Sequence, residues 1–162
     1  MLMALPNPGG TFTCTLFAPY EGEESFENIK SNGDVMAFFK RHFPDVIQHL
    51  PNLIDDWNTN PVSSLCTVKC HPWNIQSRVV IIGDAAHAMV PFFGQGMNSG
   101  FEDCTILSSL IDESKPQSEA EWQSLLDKYT QVRKPAGDAI LDLALHNYIV
   151  MRDKTGDPDY LI

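Results

Sequence analysis

Arg78-Val79-Val80-Ile81-Ile82-Gly83-Asp84-Ala85-Ala86-His87-Ala88 runs through Met89-Val90 into Pro91-Phe92-Phe93-Gly94-Gln95-Gly96-Met97-Asn98. Four consecutive β-branched residues, Val79 to Ile82, predict a strand buried on both faces inside a layered sheet. That strand ends at Gly83-Asp84, the kind of position where open α/β sheets bind ligands. A carboxylate there can accept hydrogen bonds from sugar-like hydroxyls. Gly94 and Gly96 carry no side chain, so the backbone around them can approach a flat ligand closely. Ala85 to Ala88 reads as a short turn or helical segment. The glycine loop then feeds a helix predicted from about Met97 to Ile111, whose first N–H groups and positive dipole end stabilise negative charge. An isolated Gly-Asp pair would be a cap and a turn. The whole string of strand, Gly-Asp, Gly-x-Gly and helix points to a cofactor site.

Upstream, Met1–Leu5 and Thr11–Phe17 read as strands joined by Asn7-Pro8-Gly9-Gly10, a run of turn residues that predicts an antiparallel hairpin. Phe12, Cys14 and Leu16 alternate with threonines, which predicts one buried face. A hairpin placed there leaves sheet edges that need partners. Glu21 to Gly33 is acidic and reads as a solvated loop or a short helix. Asp34 is the expected cap of a helix through Phe43, with Val35, Phe38 and Phe39 as its apolar stripe. After Pro44, Asp45 is the expected cap of a second short helix through about Leu50. From Pro61 to Val68 the pattern returns to strand.

Downstream, Phe101, Ile106, Leu107 and Leu110 are core candidates of the helix that follows the glycines. Ser118 with Glu121 forms a capping box and opens another helix, through about Arg133. Pro135 is expected to break or kink it. Ala136 to Met151 resumes a helical pattern with Ile140, Leu143, Leu145 and Ile149 apolar, and residues 153–162 are polar without a clear end signal.

The 162 residues suit one domain. Hydrophobic residues make up 43% and charged residues 20%, which excludes an extended disordered chain. Asp and Glu outnumber Lys and Arg by 21 to 11, and a net charge of −10 argues against nucleic acid as a partner. No apolar run approaches the roughly 20 residues needed to span a bilayer. The first residues lack the basic and apolar regions of a signal peptide. Cys14, Cys66, Cys70 and Cys104 could pair in three ways, but without a secretory signal they are expected to be free and mostly buried. Cys66, Cys70 and His71 invite a zinc reading, yet a structural zinc needs four convergent ligands and no second pair stands at finger-like spacing, so no metal site is assigned. His42 and His49 read as surface or cap residues.

The central string resembles the second FAD motif of flavin-dependent aromatic hydroxylases. The resemblance is carried by Gly83-Asp84-Ala85-Ala86-His87-Ala88, by Pro91 to Asn98, and by Gly100-Phe101-Glu102-Asp103-Cys104. Supporting resemblance lies at Leu5-Pro6-Asn7, at Phe12 to Phe17, and at Asn147-Tyr148-Ile149 with Met151-Arg152. It extends over most of the chain, with insertions between Leu110 and Tyr129, and is nearest to members that act on L-kynurenine. It implies a mixed α/β (α+β) fold class, namely part of the FAD-binding fold with strands of the substrate domain and C-terminal helices. Residues 1–75 would be part of the substrate-binding β-sheet domain with short helices, and 76–115 the late part of the FAD-binding domain. Residues 116–162 would be C-terminal helices lining the substrate site.

The resemblance implies that Asp84 holds the ribityl part of FAD and that Gly94, Gln95, Gly96, Met97 and Asn98 lie against the cofactor. The backbone at Met97 and Asn98 would face the pyrimidine end of the isoalloxazine. Pro91, Phe92 and Phe93 would wall the aromatic substrate, Asn147 would contact its carboxylate, and Met151, one turn on, would line the same pocket. Read alone, Asn147 is an exposed helix residue and Met151 ordinary core. His87 takes a local structural role by resemblance. No Ser or Cys nucleophile motif stands near it, and no residue is assigned as catalytic.

The implied reaction uses NADPH to reduce FAD and O₂ to hydroxylate L-kynurenine to 3-hydroxykynurenine, a step of tryptophan catabolism towards NAD, with the cofactor carrying the hard chemistry. The family's G-x-G-x-x-G unit, its upstream basic and tyrosyl substrate contacts, and the membrane-anchoring tail of eukaryotic members do not occur in these residues. The expectation is therefore a middle-to-late part of such an enzyme, which by itself binds FAD weakly or not at all. Its expected location is the mitochondrial outer membrane for a eukaryotic member and the cytoplasm otherwise. Two other readings stay open. One is a flavin-dependent hydroxylase of a phenol or carboxylated arene, the other a non-catalytic interaction module derived from such a gene.

Overall fold

The computed structural model describes residues 1–155, 157, 159 and 160, so part of the polar end expected at 153–162 lies outside the described residues. The architecture is mixed helix and strand, as the sequence predicts, and divides into two compact units, Met1–Ser64 and Leu65–Ile162.

In the first unit β1 (Leu2–Pro6) and β2 (Phe12–Leu16) form the expected antiparallel hairpin, with Leu2 opposite Leu16 and Pro6 opposite Phe12. Gly9 and Gly10 turn the chain with φ of +95° and +79°, a region glycine enters without steric cost. The buried face predicted for β2 is not found. Phe12 is 61% exposed and Cys14 is exposed, because a two-stranded ribbon has no layer of its own to pack against.

Helix α1 (Asn32–His42) begins one turn earlier than Asp34 suggests. Ser31 is the cap: its Oγ accepts from the Asp34 amide at 3.2 Å while the Asp34 carboxylate accepts from the Ser31 amide at 2.9 Å. Val35 and Phe39 are buried on α1, and Phe39 meets Trp57 of α2 (Leu53–Thr59) edge-on at 6.3 Å. Asp45 caps nothing. That segment forms only a 3₁₀ turn at Ile47–His49 with no side-chain cap. His42 and His49 are both exposed.

The second unit corrects the reading of its central strands. Residues 61–70, which run from the end of the first unit into the second, form no strand; the Val68 amide donates to the Ala88 carbonyl at 2.9 Å. The apolar run at Val79–Ile82 pairs over just two residues, β4 (Val79–Val80) against β3 (Asn74–Ile75), and antiparallel. Val79 is 49% exposed and Ile82 36%. β-Branched residues report a preference for the extended conformation, and the neighbours that would bury both faces are not supplied within the unit.

After α3 (Asp84–His87) come two long helices, α4 (Gly96–Ser114) and α5 (Glu119–Asp153). Ser99, Asp103 and Leu110 are the buried residues of α4. Phe101, expected in the core, lies on the other side and is exposed, whereas Ile106 and Leu107 pack partly buried against the core. The capping box of Ser118 and Glu121 opens α5 as predicted. Pro135 does not break it: the helix is continuous through that residue. A proline forfeits one backbone hydrogen bond, and packing on either side of Pro135 outweighs the loss. Arg133 is held in a buried ion pair before it, and Gly137 and Leu141 are buried after it.

Gly137 admits the Trp73 ring, since a β-carbon there would lie 2.8 Å from the indole. Trp73, Ala86, Leu110, Leu125, Leu126 and Tyr129 form the core of this unit. Leu143, Leu145 and Ile149, apolar in the pattern of α5, are exposed. The cysteines are free, but the burial expected of them is absent: Cys14, Cys66 and Cys104 are exposed and Cys70 is half-buried.

Candidate flavin site

The turn from β4 into α3 decides where the motif's carboxylate goes. Gly83 adopts φ +56° and ψ −140°, and its α-carbon lies against Gly100 of α4, close enough that a β-carbon on Gly100 would meet it at 3.6 Å. Asp84 leaves this turn exposed and without a bonded partner among the described residues. Below it opens a cavity of about 510 Å³ lined by Asp84, Met89, Val90, Pro91, Gly94, Gly96 and Met97. That volume is in the range of small-molecule sites.

Gly94 takes a left-handed conformation, φ +64°, and a β-carbon there would meet nothing within 4 Å, so the loop presents bare backbone. Gln95 precedes α4 without a side-chain cap; its amide oxygen instead accepts from Asn98 Nδ2 at 2.9 Å. The first amides of α4 therefore keep their hydrogen-bonding capacity for an outside acceptor. Met97 is 71% exposed beside them.

The residues assigned to substrate separate into two groups. Pro91 and Phe93 are exposed, and Pro91 borders the cavity. Phe92 is buried and stacks on Tyr148 of α5 at 4.7 Å, while Asn147 Nδ2 donates to the Phe92 carbonyl and lies 3.7 Å from Met151 Sδ. Asn147 and Met151 thus stand together one turn apart, and the amide of Asn147 fastens the 91–93 turn to α5. The Arg152 guanidinium lies over the Tyr148 ring, 5.2 Å from its centre.

Behind the cavity wall is a cluster that the residue pattern alone did not single out. Asp103, fully buried, accepts from the Gly83 amide at 2.8 Å, from His87 Nε2 at 2.6 Å and from Arg133 Nε at 2.8 Å. A carboxylate has no proton to offer, so His87 carries its proton on Nε2. Arg133 also reaches Glu102 at 2.9 Å and the Ser99 carbonyl at 3.3 Å. Burial pushes the Asp103 carboxyl upward, but the bonds from Gly83, Arg133 and His87 outweigh it and hold the group below the usual carboxylate range. Burial first, and the Asp103 charge second, push the Tyr129 hydroxyl above its ordinary value. Met89 and Val90 also line the cavity without a sequence signal that announces it. Nothing in an apolar pair before a proline says which way it faces. Asp103 did stand in the quoted Glu102-Asp103-Cys104 string, but its partner Arg133 is 30 residues away and only the fold joins them.

An open carboxylate at a strand end, a bare glycine loop and uncapped helix amides around one cavity are the parts a flavin's ribityl chain and ring need. Residues 63–144, just over half of the chain, match the FAD binding domain family. The chain belongs to that family. Across its whole length this FAD binding domain chain is 46% identical to a kynurenine 3-monooxygenase of Flavobacterium johnsoniae and covers 35% of that protein. A kynurenine 3-monooxygenase of Myxococcus xanthus is 44% identical over 99% of the chain and 34% of its own length. One from Dictyostelium discoideum is 44% identical over 99% of the chain and 37% of its own length. The chain spans about a third of the length of these curated relatives. Among the described residues no group of three or more His, Cys, Asp or Glu side chains gathers as a metal site, and no helix is long and apolar enough to cross a membrane.

Proposed function

We propose that this chain supplies the late part of the flavin site and the helix beside the substrate in an FAD- and NADPH-dependent monooxygenase that hydroxylates L-kynurenine to 3-hydroxykynurenine. The observation that carries the reading is the convergence of Asp84, Pro91, Gly94, Gly96 and Met97 on one cavity at the start of α4. Similarity along this chain to about a third of the length of kynurenine 3-monooxygenases supports the choice of substrate. FAD, when bound, supplies the activation of O₂.

The chain's own residues have simpler tasks. Asp84 accepts from ribityl hydroxyls. The amides that open α4, with Gln95 and Asn98 beside them, would stabilise negative charge on the ring through the helix dipole. Pro91 and Phe93 offer apolar surface to an aromatic ring and help exclude water. Asn147 exchanges its bond to the Phe92 carbonyl for one to the substrate carboxylate, with Met151 packing alongside.

The test is made on the natural protein carrying this sequence, purified at its full length. FAD should be retained or rebind, and NADPH consumption should be stimulated by L-kynurenine with 3-hydroxykynurenine as product. Stimulation by hydroxybenzoates instead would move the protein to another substrate class. Absence of FAD binding would overturn the reading. The isolated 162-residue chain should bind FAD weakly or not at all, since it spans a third of its relatives; tight stoichiometric binding would contradict that.

A further inference from the structure

No side-chain hydrogen bond of Asp103 goes to a position assigned to cofactor or substrate, and the proposed reaction does not use it. Stability is a poor reason for its presence, because an ion cluster taken out of water can often be replaced by apolar side chains at little cost. What it fixes is geometry. The carboxylate stands on α4, and its donors come from the β4–α3 turn, from α3 and from α5. Two of them, the Gly83 amide and His87 Nε2, share a single oxygen, Oδ2. That oxygen grips the short segment at both ends, and Asp84 leaves it between the two held points. Gly83 is in a conformation that glycine alone adopts freely, so the backbone there has no steric wall of its own to keep it in place. The bond to Asp103 supplies the restraint. Arg133, 2% exposed and itself held by Glu102 and Ser99, keeps the Asp103 carboxylate from turning away.

We infer that Asp103 is a positioning residue, which aims the Asp84 carboxylate by clamping Gly83 and His87, with Arg133 anchoring the clamp to α5. The inference rests on the reading of Asp84 as the group that holds the ribityl hydroxyls of FAD. A carboxylate serves such hydroxyls only from a narrow range of directions, and fixing it before the ligand arrives removes an ordering cost from binding. The same helix also holds the 91–93 turn, through Asn147 and the Phe92 carbonyl, and Pro91 of that turn lines the cavity.

A double-mutant cycle on the full-length natural protein tests this, with FAD affinity read from quenching of flavin fluorescence and melting of each apoprotein followed in parallel. The variants are Asp84→Ala, Asp103→Asn and the two combined. Asp103→Asn should weaken FAD by about tenfold, the lower end of the loss seen when a partner that orients a metal ligand is removed. In the Asp84→Ala background the same change should cost little, because the residue through which it acts is gone. An equal loss in both backgrounds would show a merely structural effect and overturn the inference, as would no loss in the presence of Asp84. Unchanged affinity in Asp84→Ala alone overturns the reading of Asp84, and the clamp with it. Should Asp103→Asn fail to fold, Arg133→Lys is carried through the same cycle. It keeps the charge but not the Nε bond, and the same non-additivity decides.

Discussion

Asp84 and Asp103 are the same side chain on opposite sides of one turn, and they have been given opposite surroundings. Asp84 is exposed at the rim of the cavity and keeps its water. Asp103 is fully buried and has exchanged its water for an amide, an imidazole and a guanidinium. A carboxylate leaves water only where donors replace the solvent, so Asp103 has little capacity left for a ligand and Asp84 has all of it. Residue type does not separate a binding carboxylate from a supporting one. The supply of donors does.

The comparison breaks most visibly at the buried partner. Asp103→Leu would leave the Arg133 guanidinium in the core with only Glu102 and Ser99 to hold it, so unfolding free energy should fall by roughly 3–5 kcal/mol, as when a buried pair loses one member. Chemical denaturation measures this; a loss below about 1 kcal/mol would mean that Glu102 alone neutralises Arg133. Acid sharpens the same point. The folded-state pKa of Asp103 lies below that of the unfolded chain, so its contribution is present above the ordinary Asp range of about 3.9 and is lost as pH falls through the folded value. Asp34, Glu121 and Asp127 are shifted in the same direction by their own hydrogen bonds. The readout is therefore the difference between wild type and Asp103→Asn, which should shrink below pH 4.

How much of this was legible beforehand depends on the range of the interaction. Local chemistry could be read directly: the hairpin turn at Asn7–Gly10, the capping box of Ser118 and Glu121, and α4 after the glycines each rest on neighbours within four residues. Asp34, expected as the cap itself, stands at the third helical position of a capping box whose cap is Ser31, and the expectation takes no account of Ser31. Pro135 misled because its cost is local while its compensation, Arg133 on Asp103 and Gly137 on Trp73, is tertiary. The run at Val79–Ile82 misled in the reverse way. A preference for extended backbone carries no information about neighbours on either side, and the unit provides one short strand. At the site, the motif located the cavity's rim through Asp84, Pro91, Gly94, Gly96 and Met97. The support behind it needed the fold, because Asp103 and Arg133 lie on different helices and carry charges that read as surface.

The turn between the two carboxylates should show an intermediate effect. Gly83→Ala forces a β-carbon onto φ +56° and ψ −140°, at a cost of about 1–3 kcal/mol for a residue in so sparsely populated a region. Space is not the obstacle, since a β-carbon there would lie 4.0 Å from the nearest atom, the α-carbon of Gly100. If the clamp holds Gly83 in place, the Asp103→Asn and Gly83→Ala losses should be less than additive, because either change alone releases the same turn. Simple addition in a denaturation series would argue that the turn's conformation is set elsewhere.

The smallest effect on the fold is expected where the largest effect on binding is proposed. Asp84→Asn removes a charge that has no partner among the described residues, so stability at neutral pH should change by no more than about 0.5 kcal/mol, as for other surface substitutions. The amide keeps the carboxylate's shape but offers one acceptor oxygen in place of two, so FAD affinity in the full-length protein should fall while melting of the apoprotein does not. Asp103→Leu should do the reverse in proportion, costing the fold heavily and binding only as a consequence. Measuring both quantities for both variants therefore places each carboxylate on its own axis. A marked drop in apoprotein stability for Asp84→Asn would show that this side chain also has partners within the fold, and the contrast between the two aspartates would no longer hold.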